Sequence, residues 1–255
     1  MAGPSGAPGL VVAVVGASGG IGAALVEALA RRPDVATVHA THHRSPAGGA
    51  RASVAGFGGD GGAEVVTARL DATDEGAVEA WLGAIERLDW LINAVGMLHD
   101  AEHGPEKSIR QLDPAHFERS MAINALPTLL LAKHAERLLK RSERGAFATV
   151  SARVGSIADN GLGGWYSYRA SKAALNMALK CLSIEWARSA KSVRVAALHP
   201  GTTDTALSEP FQQNVPAGKL FPPQKTARFL LERMDELHDG PSGRFLAYDG
   251  EEIPW

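Results

Sequence analysis

The 255-residue sequence predicts an α/β fold, a doubly wound parallel sheet with helices on both faces, and three observations lead there. Short runs that are apolar throughout alternate with helix-like stretches from one end to the other, a glycine-rich turn joins the first run to the first helix, and no composition break interrupts the alternation. Strands without a polar face are covered on both sides, and parallel strands need a crossover, usually a helix, between them. The 45% hydrophobic content suffices for a substantial core.

Each element follows from its residues. Residues 10–15 form a β-branched apolar run, 21–31 have helical spacing, and 35–41 are again strand-like. A Gly/Ala/Pro-rich surface loop over 45–62 leads to strands over 64–70 and 88–94, which flank a helix over 74–86. Two long helices, 113–140 and 165–189, are separated by a strand over 146–151. Pro127 lies inside the first of them, cannot donate to the carbonyl of Ile123, and is expected to open the helical ladder there, where a freed carbonyl can hold a water. A strand over 193–198 closes another βαβ unit, and a helix over 223–237 precedes a short strand over 244–247. One domain is expected over 10–255, behind a flexible tail over 1–9. Residues 206–220 carry Pro210, Pro216 and Gly218 without a clear period, so 199–221 reads as a substrate-covering lid.

Composition excludes several classes. The formal charge is −2 with no Lys/Arg-dense run, so the chain lacks the footprint of a nucleic-acid binder. Cys181 is the only cysteine, which excludes a disulfide framework and leaves a buried small hydrophobe as the expectation. No apolar run reaches membrane-spanning length and the start does not read as a signal peptide, so a soluble cytoplasmic protein is expected. His99, His103, His116 and His134 are scattered without ligand spacing, and no metal is expected.

The first strand runs into Val15-Gly16-Ala17-Ser18-Gly19-Gly20-Ile21-Gly22, with the helix beginning inside the motif. Gly16, Gly20 and Gly22 permit a tight turn, a close approach to ligand, and close helix-to-strand packing, while the helix N-terminus offers N–H groups to a pyrophosphate. Between a strand and a helix, a turn through Gly16, Ser18, Gly19, Gly20, Ile21 and Gly22 predicts a Rossmann-type dinucleotide site. Asp71 either accepts from an adenine amino group or, like Asp74, caps a helix. Asn93, Ala94, Val95 and Gly96 suit a strand end packed on a cofactor, or an ordinary turn. After the second strand, Thr41, His42, His43 and Arg44 offer no carboxylate for ribose hydroxyls. Arg44, helped by His43 or Thr41, favours the 2′-phosphate of NADP(H) over NAD(H), unless Arg44 is a solvated loop charge.

Tyr168-Arg169-Ala170-Ser171-Lys172 puts a phenol and an ammonium one turn apart on one helix face. A phenol titrates near pKa ~10, and bringing it to about 7 takes roughly 4 kcal/mol of preferential stabilisation of the phenolate. A neighbouring cation has the required sign.

With the glycine motif over 16–22, Asn93-Ala94-Val95-Gly96, Asn124, the Tyr168/Lys172 pair and Pro200-Gly201 followed by Thr205, the chain resembles the short-chain dehydrogenase/reductase family along nearly its whole length. Residues 151–156, 163–176 and 249–255 are similar to the C-factor and sniffer-like carbonyl reductase branch. The resemblance implies hydride transfer between a nicotinamide and a carbonyl or alcohol, with Tyr168 handling the proton. It also implies that Lys172 binds the nicotinamide ribose and lowers the tyrosine pKa, and that Asn124 supports a water relay to Lys172. The family commonly carries two adjacent serines after the fifth strand, whereas this chain reads Ser151-Ala152. Either Ser151, by its strand-end position, or Ser156, by its interval from Tyr168, supplies the substrate-polarising hydroxyl. Pro200, Gly201 and Thr202 offer backbone groups to the carboxamide and Thr205 a hydroxyl to the cofactor. Leu162, Trp165, Leu207 and Phe211 either line an apolar pocket under the lid or serve as packing, Tyr166 is expected as a further wall, and His199 lies near the cofactor or is simply packed there.

The resemblance further implies pairing of the two long helices in a homodimer or homotetramer. A second reading, suggested by the C-factor likeness and by Ala152, is a dinucleotide-binding signalling or regulatory protein with little turnover. A third, a sugar-nucleotide epimerase or dehydratase, conflicts with the short C-terminal region.

Overall fold

The computed structural model describes residues 9–43 and 62–255. The expected tail apart from Gly9, the expected loop apart from Gly62, and Arg44 lie outside the described residues. The elements in chain order are β1 (Leu10–Val15), α1 (Gly20–Ala30), β2 (Val35–His42), β3 (Glu64–Arg69), α2 (Glu75–Gly83) and β4 (Trp90–Asn93). They continue with α3 (Pro114–Asn124), α4 (Leu126–Leu139), β5 (Ala146–Val150), α5 (Tyr166–Ser189) and β6 (Arg194–His199). A small pair, β7 (Thr202–Thr203) and β8 (Leu220–Phe221), is followed by α6 (Pro223–Asp235) and β9 (Arg244–Ala247).

The main sheet has seven strands in the order β3-β2-β1-β4-β5-β6-β9, every neighbouring pair parallel. Side-chain alternation along each strand feeds two layers. From β1, Val12 and Val14 pack with Leu25 and Leu29 of α1 and Leu230 and Met234 of α6. Ala13 and Val15 face the opposite layer, with Leu82 of α2, Leu131 and Leu138 of α4, and Leu175 and Trp186 of α5. Winding outward from β1 in one direction and from β4 in the other leaves a crevice at their carboxyl ends, the usual ligand position in such sheets.

The helix expected over 113–140 is two helices, α3 and α4, broken at Ala125 with φ −105°. Pro127 explains the break: it has no N–H for the carbonyl of Ile123, and its ring crowds that turn. The ladder resumes when Thr128 N donates to Ala125 O at 3.2 Å, one residue short of the helical interval. Asp113 caps α3 by accepting from His116 N at 2.8 Å. The segment 199–221 is more ordered than its lack of period predicted, carrying the parallel pair β7/β8 and a 3-10 turn over Glu209–Asn214. Cys181 is exposed on α5, correcting the expectation of burial. Among the described residues, no helix is long and apolar enough to cross a membrane.

Candidate active site

Two clefts open at the carboxyl ends of the strands, and Ala94, Val95 and Gly96 at the end of β4 line both. The first lies over the glycine turn. Gly16 leaves β1 at φ +87°, a left-handed conformation suited to glycine, and a Cβ there would stand 3.1 Å from the backbone of Ala94 and Val95. Gly19 begins α1 with no capping side chain and no acidic residue in the first turn, so the positive end of the helix is left for an anion. That is the fit a dinucleotide pyrophosphate requires. Ser18, Gly19, Thr41, His43 and Asp71 line this cleft. Asp74, rather than Asp71, caps α2 by accepting from Ala77 N at 3.1 Å. The Asp71 carboxylate accepts the Thr73 hydroxyl at 2.6 Å and the Thr73 N–H at 3.0 Å, which together hold it below its usual pKa, and its other oxygen lies 3.7 Å from His43 Nδ1. Gly20 and Gly22 line neither cleft. Their bare α-carbons let Thr205 close on the start of α1 and let α1 pack on the Gly16 carbonyl.

Asn93 also stays out of both clefts. Its amide donates to Thr128 Oγ1 at 3.1 Å and accepts from Val95 N at 3.0 Å, so it shapes the strand end and ties β4 to α4 rather than facing a ligand.

The second cleft holds Tyr168 and Lys172 from α5, Ile21 from α1, and Pro200, Gly201, Thr202 and Thr205 from the segment after β6. Lys172 Nζ donates to Val150 O at 3.0 Å and lies 5.9 Å from the centre of the Tyr168 ring. Both side chains are buried, and burial pushes their titrations in opposite directions: the phenol rises above its ordinary value and the ammonium is pushed down to about 8. Burial raises the Tyr168 phenol even with the Lys172 ammonium one turn away on the same helix face. His199 lines the same cleft, accepts from Arg153 N at 3.3 Å through Nδ1, and is pushed down to about 4 by burial and then by the Arg153 charge, so it is neutral.

Neither serine presents a free proton to the cleft. Ser151 lines the cleft but donates to Asn176 Oδ1 at 2.6 Å. Ser156 lies outside the cleft and accepts Asp159 N at 3.0 Å, so it ties down its own loop. Ala152 occupies the cleft wall between them in sequence. Asn124 lines neither cleft: its amide protons go to Met97 O at 2.8 Å and Ser171 Oγ at 2.9 Å, and its oxygen takes Met97 N–H at 2.8 Å. Asn124 Oδ1 and Lys172 Nζ do converge, each 3.5 Å from where a Gly96 Cβ would be. Trp165, Leu207 and Phe211 form an apolar wall, whereas Leu162 is 93% exposed and Tyr166 lies outside the cleft.

Two positioning residues escape sequence reasoning. Glu106, buried on the loop after β4, accepts Ser167 N through both carboxylate oxygens (3.3 and 3.2 Å) and takes the Ser167 hydroxyl, capping α5 from a distant segment. Its carbonyl also accepts from Trp165 N, and Trp165 stands at φ 52°, the only non-glycine residue with positive φ among the described residues. Gly155 lets the turn after β5 lie against α5, where a Cβ would stand 2.8 Å from Lys172 Cβ. No local pattern marks Glu106, which acts across 61 residues.

The profile of the short chain dehydrogenase family matches residues 10–216. The C-signal of Myxococcus xanthus is 35% identical over 168 residues, 66% of this chain and 93% of that protein. The 1-hydroxy-2-glutathionyl-2-methyl-3-butene dehydrogenase of a Rhodococcus species is 33% identical over 190 residues, 73% of this chain and 78% of that one. Among solved structures, carbonyl reductase Sniffer of D. melanogaster has the same fold, with TM-score 0.82 at 22% identity, covering 97% of this chain and 100% of that one. The NADPH-bound carbonyl reductase from chicken fatty liver gives TM-score 0.80 at 25% identity, covering 97% and 94%.

Proposed function

We propose, from the premise that this chain belongs to the short-chain dehydrogenase/reductase family and is of its C-factor/carbonyl reductase type, that it is an NADP(H)-dependent reductase of apolar aldehydes or ketones. The observation that carries this reading is the burial of Tyr168 and Lys172 together in a cleft continuous, through the end of β4, with an uncapped helix N-terminus.

When bound, the reduced nicotinamide supplies the hydride. The protein's part is protonation and orientation. Burial keeps the Tyr168 phenol protonated at neutral pH, so Oη is a proton donor toward an alkoxide developing on the substrate. Lys172, anchored on Val150 O, sets positive charge beside the phenolate so formed and is placed to hold a ribose hydroxyl. Gly16, Ser18 and the start of α1 hold the pyrophosphate, and Asp71 the adenine. The segment 200–205 holds the carboxamide end, and residues 199–221 serve as the lid. The absence of a carboxylate over residues 41–44 and the presence of His43 in the cleft support the 2′-phosphorylated dinucleotide, with Arg44 as its further partner. The similar carbonyl reductase from chicken fatty liver is NADPH-bound, which supports the same choice. Trp165, Leu207 and Phe211 support an apolar substrate.

Tyr168→Phe tests the reading. The variant is expected to bind NADPH as the parent does, and at least tenfold more tightly than NADH by fluorescence titration. Turnover on an aldehyde and ketone panel is expected to fall by about 10²–10⁴. Full turnover would overturn the role of Tyr168. Cofactor binding by the parent protein with no turnover on any carbonyl would instead favour the dinucleotide-binding signalling reading, which draws on Ala152, on the Ser151 proton held by Asn176, and on the likeness to C-signal.

A further inference from the structure

Histidines that look scattered along the chain meet in the fold. Asp100 and His103 lie on the loop after β4, and His116 in the first turn of α3. The two imidazoles stack with centroids 4.9 Å apart and planes at 23°. Both turn Nδ1 toward one carboxylate: His103 Nδ1 is 3.2 Å from Asp100 Oδ1, and His116 Nδ1 is 3.6 Å from Asp100 Oδ2. The second distance is too long for a hydrogen bond. His116 is only 4% exposed, and its Nδ1 is a buried polar atom with no partner. Such a nitrogen is costly unless something binds it. The three ligating atoms lie within 4.8 Å of one another, and a tetrahedral ion about 2.0–2.2 Å from each draws them to about 3.3–3.6 Å, a closure of at most about 1.5 Å that side-chain rotation supplies. Asp100 is prepared as the anionic ligand: the N–H groups of Glu102 and His103 donate to it at 2.9 and 2.8 Å and hold its carboxyl well below the usual range.

We propose that Asp100, His103 and His116 form a binding site for one divalent ion of the zinc class, which ties the loop after β4 to the start of α3. Two imidazole nitrogens and one carboxylate oxygen are the donor set such ions take, and the cleft lined by Met97, Ala115 and Ile123 leaves room for water as a further ligand. Arg119, 3.3 Å from Asp100 Oδ2, is the cation it displaces. Its side chain is half-exposed and turns outward to solvent, giving up a pair of the weak surface kind. His99 stays out of the set because Nε2 is bonded to Ala206 O at 3.2 Å.

The test uses the full chain, stripped with a chelator and then titrated with cobalt(II) chloride. The parent protein and His134→Ala, a variant outside the cluster, are expected to take up one equivalent, to show visible ligand-field absorption, and to lose it on adding zinc chloride. His103→Ala is expected to bind at least tenfold more weakly, and His116→Gln to lose the absorption. His103 is about a third exposed, so its replacement reads the site even if His116→Gln does not fold. No absorption at one equivalent in the parent, or undiminished affinity in His103→Ala, would overturn the site.

Discussion

At the scale of single residues, the chemistry rests on how burial divides protons between two neighbours. Lys172 is pushed down to about 8 from an ordinary 10.5, so its charge is at risk within a range that enzymology reaches easily. In reductive turnover, kcat/KM for the reduced dinucleotide reports groups of the free enzyme. It is expected to fall above pH about 8 as Lys172 loses its proton, and a profile flat to pH 9.5 would contradict this. Stability should move the other way. Between about pH 8 and 10.5 the unfolded lysine holds a proton that the folded one has released, so unfolding becomes less favourable as pH rises through that window. The full effect is on the order of 3 kcal/mol. Tyr168, raised by burial, opposes it only above its ordinary value of 10. Urea unfolding at pH 8.0 and 9.5 should therefore show a rise in the parent that Lys172→Met lacks. None of this was legible in the spacing of Tyr168 and Lys172, which shows that the two share a helix face but not that both are dry. The same limit explains the serines: chain position nominates Ser151, yet only the fold shows that Asn176 holds its proton.

At the scale of elements, α5 is the instrument that presents both groups, and its start is made by other segments. Trp165 enters in a left-handed turn without a side-chain cap of its own, and Glu106 supplies the acceptor for Ser167 N–H. Replacing Glu106 by Ala leaves that N–H and the Ser167 hydroxyl unpaired in the interior, a loss of about 1–3 kcal/mol in stability by denaturant unfolding. Glu106→Gln keeps an acceptor and is expected to lose less. Equal stability of the Ala variant and the parent would remove Glu106 from this role. Sequence periodicity located α5 within a residue and every strand of the main sheet within two, because apolar runs and helical spacing are local properties. It joined α3 to α4, although their buried faces differ, with His116, Ser120 and Asn124 in α3 and Leu131, Ala135 and Leu138 in α4. The physical sign of the break, Pro127, was visible, though only as a kink. The cap from Glu106 was illegible, since nothing near residue 106 records where residue 167 will lie.

At the scale of the whole molecule, the strand order brings the glycine turn, the end of β4 and the Tyr168 cleft to one edge of the sheet, and the dinucleotide reading depends on that convergence. The opposite concern is what α4 and α5 leave uncovered. Leu126, Leu129, Met177 and Ile184 are exposed apolar side chains on these two helices, and a self-complementary helix face is a common dimer contact. Light scattering on the eluting protein is expected to give at least twice the 26.8 kDa of one chain, and Leu129→Glu with Met177→Glu to shift it toward that mass. Elution of the parent at monomer mass would contradict pairing. The central claim, that Tyr168 donates a proton beside a bound nicotinamide, is tested most directly by a crystal structure of the protein with oxidised NADP. The pyridine ring is expected in van der Waals reach, about 4 Å, of the Tyr168 side chain, with its ribose on Lys172. A ring bound elsewhere, with Tyr168 and Lys172 untouched, would contradict the account.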